Sequence, residues 1–196
     1  MKKPDLLAAL KPVIDAFDRL AIPYYIGGSI ASSAYGMPRA TMDADLVADL
    51  AIVQVSGLVA SLQDQYYVAE AAMTNAIASA SSFNLIHLET MVKIDVFMAK
   101  KDAYHQAALA RRLTDRLVDD DPDSVVCLAS PEDVILSKLQ WYEMGQRVSE
   151  RQWLDILGVV KVQGDSLDKE YLLRWSQALG ICDLWRRACS EAGLRP

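Results

Sequence analysis

The sequence predicts an α/β (α+β) chain: an α/β core, residues 1–128, followed by a helical C-terminal part, residues 129–196. Short apolar runs bounded by Gly, Pro and polar turns recur through the first part, as strands alternating with helices require. Beyond residue 129 those runs stop and helix-start signals follow one another. No Pro/Gly/Ser-rich linker, low-complexity tract or internal repeat separates the two parts.

The elements read in order as follows. Leu7, Leu10, Val13, Ile14, Phe17 and Leu20 have helical spacing. Pro12 interrupts that pattern, so the helix is expected to start near Lys11 or to kink there, and Pro23 marks its end. Tyr24-Tyr25-Ile26 is a short strand entering a Gly27-Gly28 turn. Ser29 to Tyr35 reads as a helix stopped by Gly36 and Pro38. Met42 to Val47 is a second strand, and Ile52 to Leu62 a helix weakened by Gly57. Phe83 to Leu88 and Val92 to Met98 are two strands joined by a short turn. Ala103 to Leu113 is helical, and Val125 to Leu128 is a last short strand.

In the second part, Ser130-Pro131-Glu132-Asp133 combines a capping Ser, a first-turn Pro and two acids. Ser149 with Gln152 has the spacing of a capping box. Ser166 to Leu179, stopped by Gly180, and Asp183 to Ala192 complete the helices.

Composition narrows the function. With 196 residues, 52% of them hydrophobic, the chain can bury a sizeable core. Its net charge of -6 argues against broad electrostatic coating of nucleic acid and suits a site that collects divalent cations. Cys127, Cys182 and Cys189 lack any CxxC spacing and read as buried thiols in a reducing compartment. The start, MKKPD, leads into an amphipathic helix rather than a targeting segment, and no run approaches a membrane span. These features point to the cytoplasm.

The stretch from Ile26 to Leu46, IGGSIASSAYGMPRATMDADL, carries the chemistry. Asp43 and Asp45 are two apart on a strand, so they share one face, roughly 6.6 Å apart along the chain. Such a pair can converge on one or two Mg²⁺ ions, which sit about 3.5–4 Å apart in two-metal sites. Asp95, in VKIDVF, completes the site if its strand lies beside the first, and can also accept a proton from an attacking hydroxyl. The chain has 26 acids, so an acid-x-acid pair alone is commonplace. Its setting among Leu, Val and Ala is what singles it out, because buried acids need a compensating cation. Exposed edge-strand acids, or for Asp95 an ion pair with Lys93, are the alternatives.

Gly27 and Gly28 permit positive φ and close backbone approach to a ligand. A helix starting at Ser29 offers free N–H groups and a dipole to phosphate oxygens, or Ser29 is simply its cap. No Gly-Lys-Ser/Thr follows, so this is not a Walker P-loop. Arg39, just before Thr41 and the acids, either steadies a triphosphate or pairs with Asp43. Lys138, inside the apolar run VILSKL, either contacts phosphate or snorkels to solvent. Arg151 and Asp155, four apart, read as a mutually stabilising helix pair. His87 reads as a packed or hydrogen-bonded imidazole, and Trp141, Trp153, Trp175 and Trp185 as core.

Gly27-Gly28-Ser29 followed by Asp43-Ala44-Asp45, with Asp95 on a later strand, resembles the signature of the nucleotidyltransferase superfamily that includes DNA polymerase beta. The run with Gly36, Arg39 and Thr41 is similar to a bacterial branch of minimal nucleotidyltransferases and abortive-infection toxins, and Lys138, Arg151 and Asp155 resemble its C-terminal positions. The resemblance implies a small mixed β-sheet backed by helices, with a helical C-terminal part, and Mg²⁺-dependent transfer of a nucleoside monophosphate from an NTP such as ATP to a hydroxyl. Asp43, Asp45 and Asp95 would hold two Mg²⁺ ions, and Asp95 would help deprotonate the acceptor. Gly27, Gly28, Ser29, Arg39, Thr41 and Lys138 would serve the nucleotide. The acceptor would be a small molecule, a protein hydroxyl or a tRNA end. The alternatives are a nucleotide- or partner-binding module without turnover and a toxin paired with an antitoxin.

Overall fold

The structure, a computed structural model, describes residues 5–117 and 124–194. The MKKP start lies outside them. The chain divides into two compact units, one of Met1–Gly27 and Thr41–Leu128, the other of Gly28–Ala40 and Ala129–Pro196.

The first unit holds a seven-stranded mixed sheet: β1 (Tyr24–Ile26), β2 (Asp43–Ala48), β3 (Tyr66–Tyr67), β4 (Ser82–His87), β5 (Lys93–Met98), β6 (Leu113–Arg116) and β7 (Val125–Leu128). The spatial order is β3-β4-β5-β2-β1-β7-β6. β2 and β5 are parallel at its centre, as are β1 and β7, and the other pairs are antiparallel. This is the mixed α/β class that the sequence predicts.

Alternation fixes which face is core. Ala44, Leu46 and Ala48 on β2 are buried, as are Ile94, Val96 and Met98 on β5. Helix α1 (Asp5–Arg19) covers this sheet face at β2. α3 (Val55–Leu62) packs on α1, and α4 (Glu70–Ser79) packs on α3, β4 and β5. The residues between them point to the opposite face, where the acids stand. A one-residue slip would exchange the faces, so burial of the apolar set locks the acids into place.

Several details differ from the sequence expectations, among them the start of the helix expected from Ser166, which begins at Lys169 after a 3-10 turn at Gly164–Ser166. α1 starts at Asp5 rather than near Lys11 and runs through Pro12. The proline removes one backbone donor, but Leu7, Leu10, Val13, Ile14 and Phe17, on both sides of it, are all buried and hold the helix in place. Ile52–Gln54 is a 3-10 turn that precedes α3. α5 (Ala103–Ala110) ends early because Leu113 opens β6, a strand with every residue exposed. β3 and α4 carry no clear signal in the sequence.

The second unit is helical: α2 (Gly28–Tyr35), α6 (Pro131–Met144), α7 (Glu150–Gln163), α8 (Lys169–Ala178) and α9 (Cys182–Ala192). α2 packs on α6 and α7, α7 on α9, and α6 on α8, which also packs on α9. Ser130 and Ser149 cap their helices as the sequence suggests, but the Ser149–Gln152 box is half formed, because Gln152 Oε1 accepts from Lys138 Nζ instead. Ser130 accepts from the Asp133 N–H, and Ser149 from the Gln152 N–H. The two first-turn acids of α6 are buried and occupied: Asp133 accepts from Ser130 Oγ at 2.7 Å and Tyr171 at 2.8 Å, while Glu132 accepts from the Asp168 N–H at 2.9 Å. Trp153, Trp175 and Trp185 are core, whereas Trp141 is half-exposed. Cys189 is buried, which pushes its thiol up to about 11, and Cys127 and Cys182 are partly exposed.

Gly36 marks a close approach of α2 to α7. A Cβ there would lie 2.8 Å from the Val159 nitrogen and 2.9 Å from the Gly158 carbonyl carbon. Backbone cannot move aside as a side chain can, so Gly36→Ala is expected to destabilise the protein by about 1–3 kcal/mol, the usual cost of overpacking. Urea denaturation of the variant measures it.

Candidate functional site

The acids come together through strand register. Asp45 and Asp95 are direct partners across the parallel pair β2/β5, and Asp43 is opposite Lys93. Residues in parallel register share a face, with strands about 4.8 Å apart. Asp43, Asp45, Lys93 and Asp95 therefore form a two-by-two block at the start of β2 and β5. Asn84, exposed on β4, is the next partner across from Asp95. Asp43 is exposed, while Asp45 and Asp95 are partly buried.

Local bonds orient the block. Thr41 Oγ1 donates to Asp43 Oδ1 at 2.6 Å. The Gly27 N–H donates to the Asp45 carbonyl at 2.8 Å, which ties the glycine turn to the acid strand at the acid itself. Lys93 Nζ is 2.7 Å from Asp95 Oδ2. The hydrogen bond to Asp95 is the main cause that holds the Lys93 ammonium above the ordinary lysine value; burial opposes it, and the charges of Asp95, Asp43 and Asp45 add to it.

Three carboxylates on adjacent strands are a hard-oxygen donor set, which suits Mg²⁺. As the side chains stand, no three His, Cys, Asp or Glu groups among the described residues are gathered closely enough to hold a metal ion. The donors and their shared face fit such an ion; the rotamers, with Lys93 against Asp95, are those of an ion-paired face.

Gly28, Ser29, Arg39 and Lys138 belong to the second unit. Gly28 opens α2 with φ at 53°, the left-handed conformation that glycine adopts without strain. Gly27 is not among the positive-φ residues. Arg39 forks onto Asp155, Nε to Oδ1 and Nη2 to Oδ2, both at 3.0 Å, and Nη2 also donates to Ser29 Oγ. Lys138 Nζ donates to Asp155 Oδ2 at 2.8 Å and to Gln152 Oε1 at 3.2 Å. Asp155 on α7 thus meets the segment that follows α2 through Arg39 and α6 through Lys138. This corrects the helix-pair reading of Arg151 and Asp155, because the Asp155 oxygens meet Arg39 and Lys138. Lys138 does not snorkel: its side chain is 6% exposed and that of Asp155 9%.

Burial alone would raise the Asp155 carboxyl. The hydrogen bonds from Arg39 and Lys138, with their charges, outweigh it and hold the group below the ordinary carboxylate value. Its folded value is therefore below its unfolded one. The stabilisation is full above about pH 4 and is lost as the pH falls through the folded value. Circular dichroism between pH 5 and 2 is expected to show a shallower acid transition for Asp155→Asn than for the wild type.

His87 belongs to the core face, not the acid face. It is buried, its Nδ1 is 2.8 Å from Thr90 Oγ1, and its ring packs on Tyr66. The sequence reading missed the role of Asp155. The available signal was a charge within apolar helical sequence, at Lys138 and again at Asp155, since a buried charge demands a partner.

No protein-family model matches the chain, and no curated protein matches it. Solved structures do. The solution structure of the antibiotic-resistance factor ANT(2'')-Ia is 16% identical, with 95% of both chains covered and a TM-score of 0.51. Its crystal structure with adenylyl-2''-tobramycin is 14% identical, covering 90% of this chain and 97% of that one, with a TM-score of 0.56. An antigenic nucleotidyltransferase-like protein from Paracoccidioides brasiliensis is 18% identical, covering 96% and 91%, with a TM-score of 0.52. The chain has a nucleotidyltransferase-like fold. Among the described residues no helix is long and apolar enough to cross a membrane.

Proposed function

We propose that this protein is a nucleotidyltransferase that moves a nucleoside monophosphate from an NTP to a hydroxyl acceptor with the help of Mg²⁺. The observation that carries the reading is the register: Asp45 opposite Asp95, with Asp43 two residues away on the same face. The fold likeness supports it.

In this reading Asp43, Asp45 and Asp95 hold the metal ions through their carboxylate oxygens. Bound Mg²⁺ supplies charge neutralisation at the triphosphate and lowers the pKa of a bound hydroxyl. Thr41 keeps Asp43 in one orientation. An Asp95 oxygen takes the acceptor proton as the hydroxyl attacks the α-phosphorus, and pyrophosphate leaves. Gly27, Gly28 and Ser29 offer backbone N–H groups and a hydroxyl to phosphate oxygens. Arg39 and Lys138 are the cationic groups of this cluster that would meet a nucleotide anion. Positioning and charge account for most of the catalysis.

A net charge of -6 and the likeness to ANT(2'')-Ia, solved with adenylyl-2''-tobramycin, favour a small cationic polyol as acceptor over RNA. Incubation with each α-labelled NTP, Mg²⁺ and a panel of cationic polyols, proteins and tRNA tests this. Label transferred to a polyol supports it; transfer to tRNA or protein would redirect the acceptor. A binding module without turnover is the second reading, favoured by Lys93 on Asp95 and by the ungathered rotamers. Nucleotide binding without label transfer to any acceptor supports that reading.

A further inference from the structure

We propose that Lys93 is a built-in competitor for the metal site: its ammonium takes the Asp95 oxygen that a divalent cation would need, and cation binding displaces it. The inference rests on the reading of Asp43, Asp45 and Asp95 as metal ligands.

Lys93 precedes Asp95 by two residues on β5, so both point to one face, and its register partner across the sheet is Asp43. Its Nζ is 2.7 Å from Asp95 Oδ2. The ammonium is thus placed among the carboxylates that would ligate a metal, bonded to one of them. An acid face without any cation would repel itself, and Lys93 relieves that repulsion when metal is absent.

The Lys93 side chain is 49% exposed. Its four-carbon stem can swing the ammonium into water, where it is strongly hydrated. Breaking so exposed a pair costs little. A divalent ion carries twice the charge and takes several oxygens at once, so it wins the competition. The Lys138–Asp155 pair differs on each count: it is buried, its carboxylate is also forked by Arg39, and it is built to stay. Lys93 therefore sets the cation concentration at which the acid face loads.

The test is cation affinity of the full chain, by electron paramagnetic resonance of free Mn²⁺ and by Mg²⁺ calorimetry. The wild type is expected to bind, and Asp45→Asn not. Lys93→Met is expected to bind about three- to tenfold more tightly, the size expected for removing one partly screened competing charge. Lys93→Arg keeps the charge and the pair, so its affinity should stay near wild type. Lys101→Met removes a charge from another pair of the same unit, Lys101 with Asp49 at 2.5 Å, and should also leave affinity unchanged. In the wild type, Mg²⁺ should shift the Lys93 Nζ resonance. Equal or weaker binding by Lys93→Met, or an equal gain in Lys101→Met, would overturn the proposal. Wild-type protein that binds no cation through Asp45 would overturn the metal reading itself, and this inference with it.

Discussion

Asp45→Asn is expected to cut nucleotidyl transfer by about 10³-fold or more, the scale of losing a charged group that stabilises the transition state. Stability should be unchanged or higher. Asp45 stands opposite Asp95 and two residues from Asp43, so three like charges crowd one face with Lys93 as their close cation. Removing one charge relieves that repulsion, in the usual trade of stability against activity at a functional site. The carboxamide is nearly isosteric, so neighbouring strands need not move. Scanning calorimetry alongside label transfer separates the two effects. A large loss of activity accompanied by an equally large loss of stability would mark Asp45 as structural.

Asp155→Ala should have the largest effect on stability. It leaves Arg39 and Lys138, both largely buried, without their shared carboxylate. Breaking one partner of a buried ion pair costs about 3–5 kcal/mol because the remaining charge is uncompensated. In a unit this small, a loss of that size corresponds to a fall in melting temperature of about 10 °C or more. The mechanism is checked by adding Lys138→Met to Asp155→Ala. Removing one stranded charge should recover part of the lost stability, whereas simple cavity formation would make the double variant worse. Thermal melts of both variants decide between the two.

Much of this was legible in the sequence for identifiable reasons. Alternation in DADLVA and KIDVFM marked both strands and put their acids on one face, because period two leaves no other choice. Ser130 and Ser149 announced their helices through side-chain chemistry that is local in sequence. What was illegible lacked a local signal. α4 buries only Met73 and Ala76 and stops at Ala80 in a left-handed conformation, with no glycine to mark the end. β6 is an edge strand with four exposed residues, so no alternation reveals it. That β2 and β5 are neighbours is a long-range fact, and so is the meeting of Arg39 with Asp155, 116 residues apart. Charges set in apolar helices show that partners exist, but not which ones.

The most direct test of the central claim is isothermal titration of ATP, CTP, GTP and UTP in the presence of Mg²⁺, comparing wild type with Asp43→Ala/Asp45→Ala. At least one nucleotide is expected to bind the wild type only when Mg²⁺ is present, and the double variant is expected to lose this binding while keeping its fold by circular dichroism. Nucleotide binding that is indifferent to Mg²⁺ and survives in the double variant would contradict it, as would the absence of binding to all four.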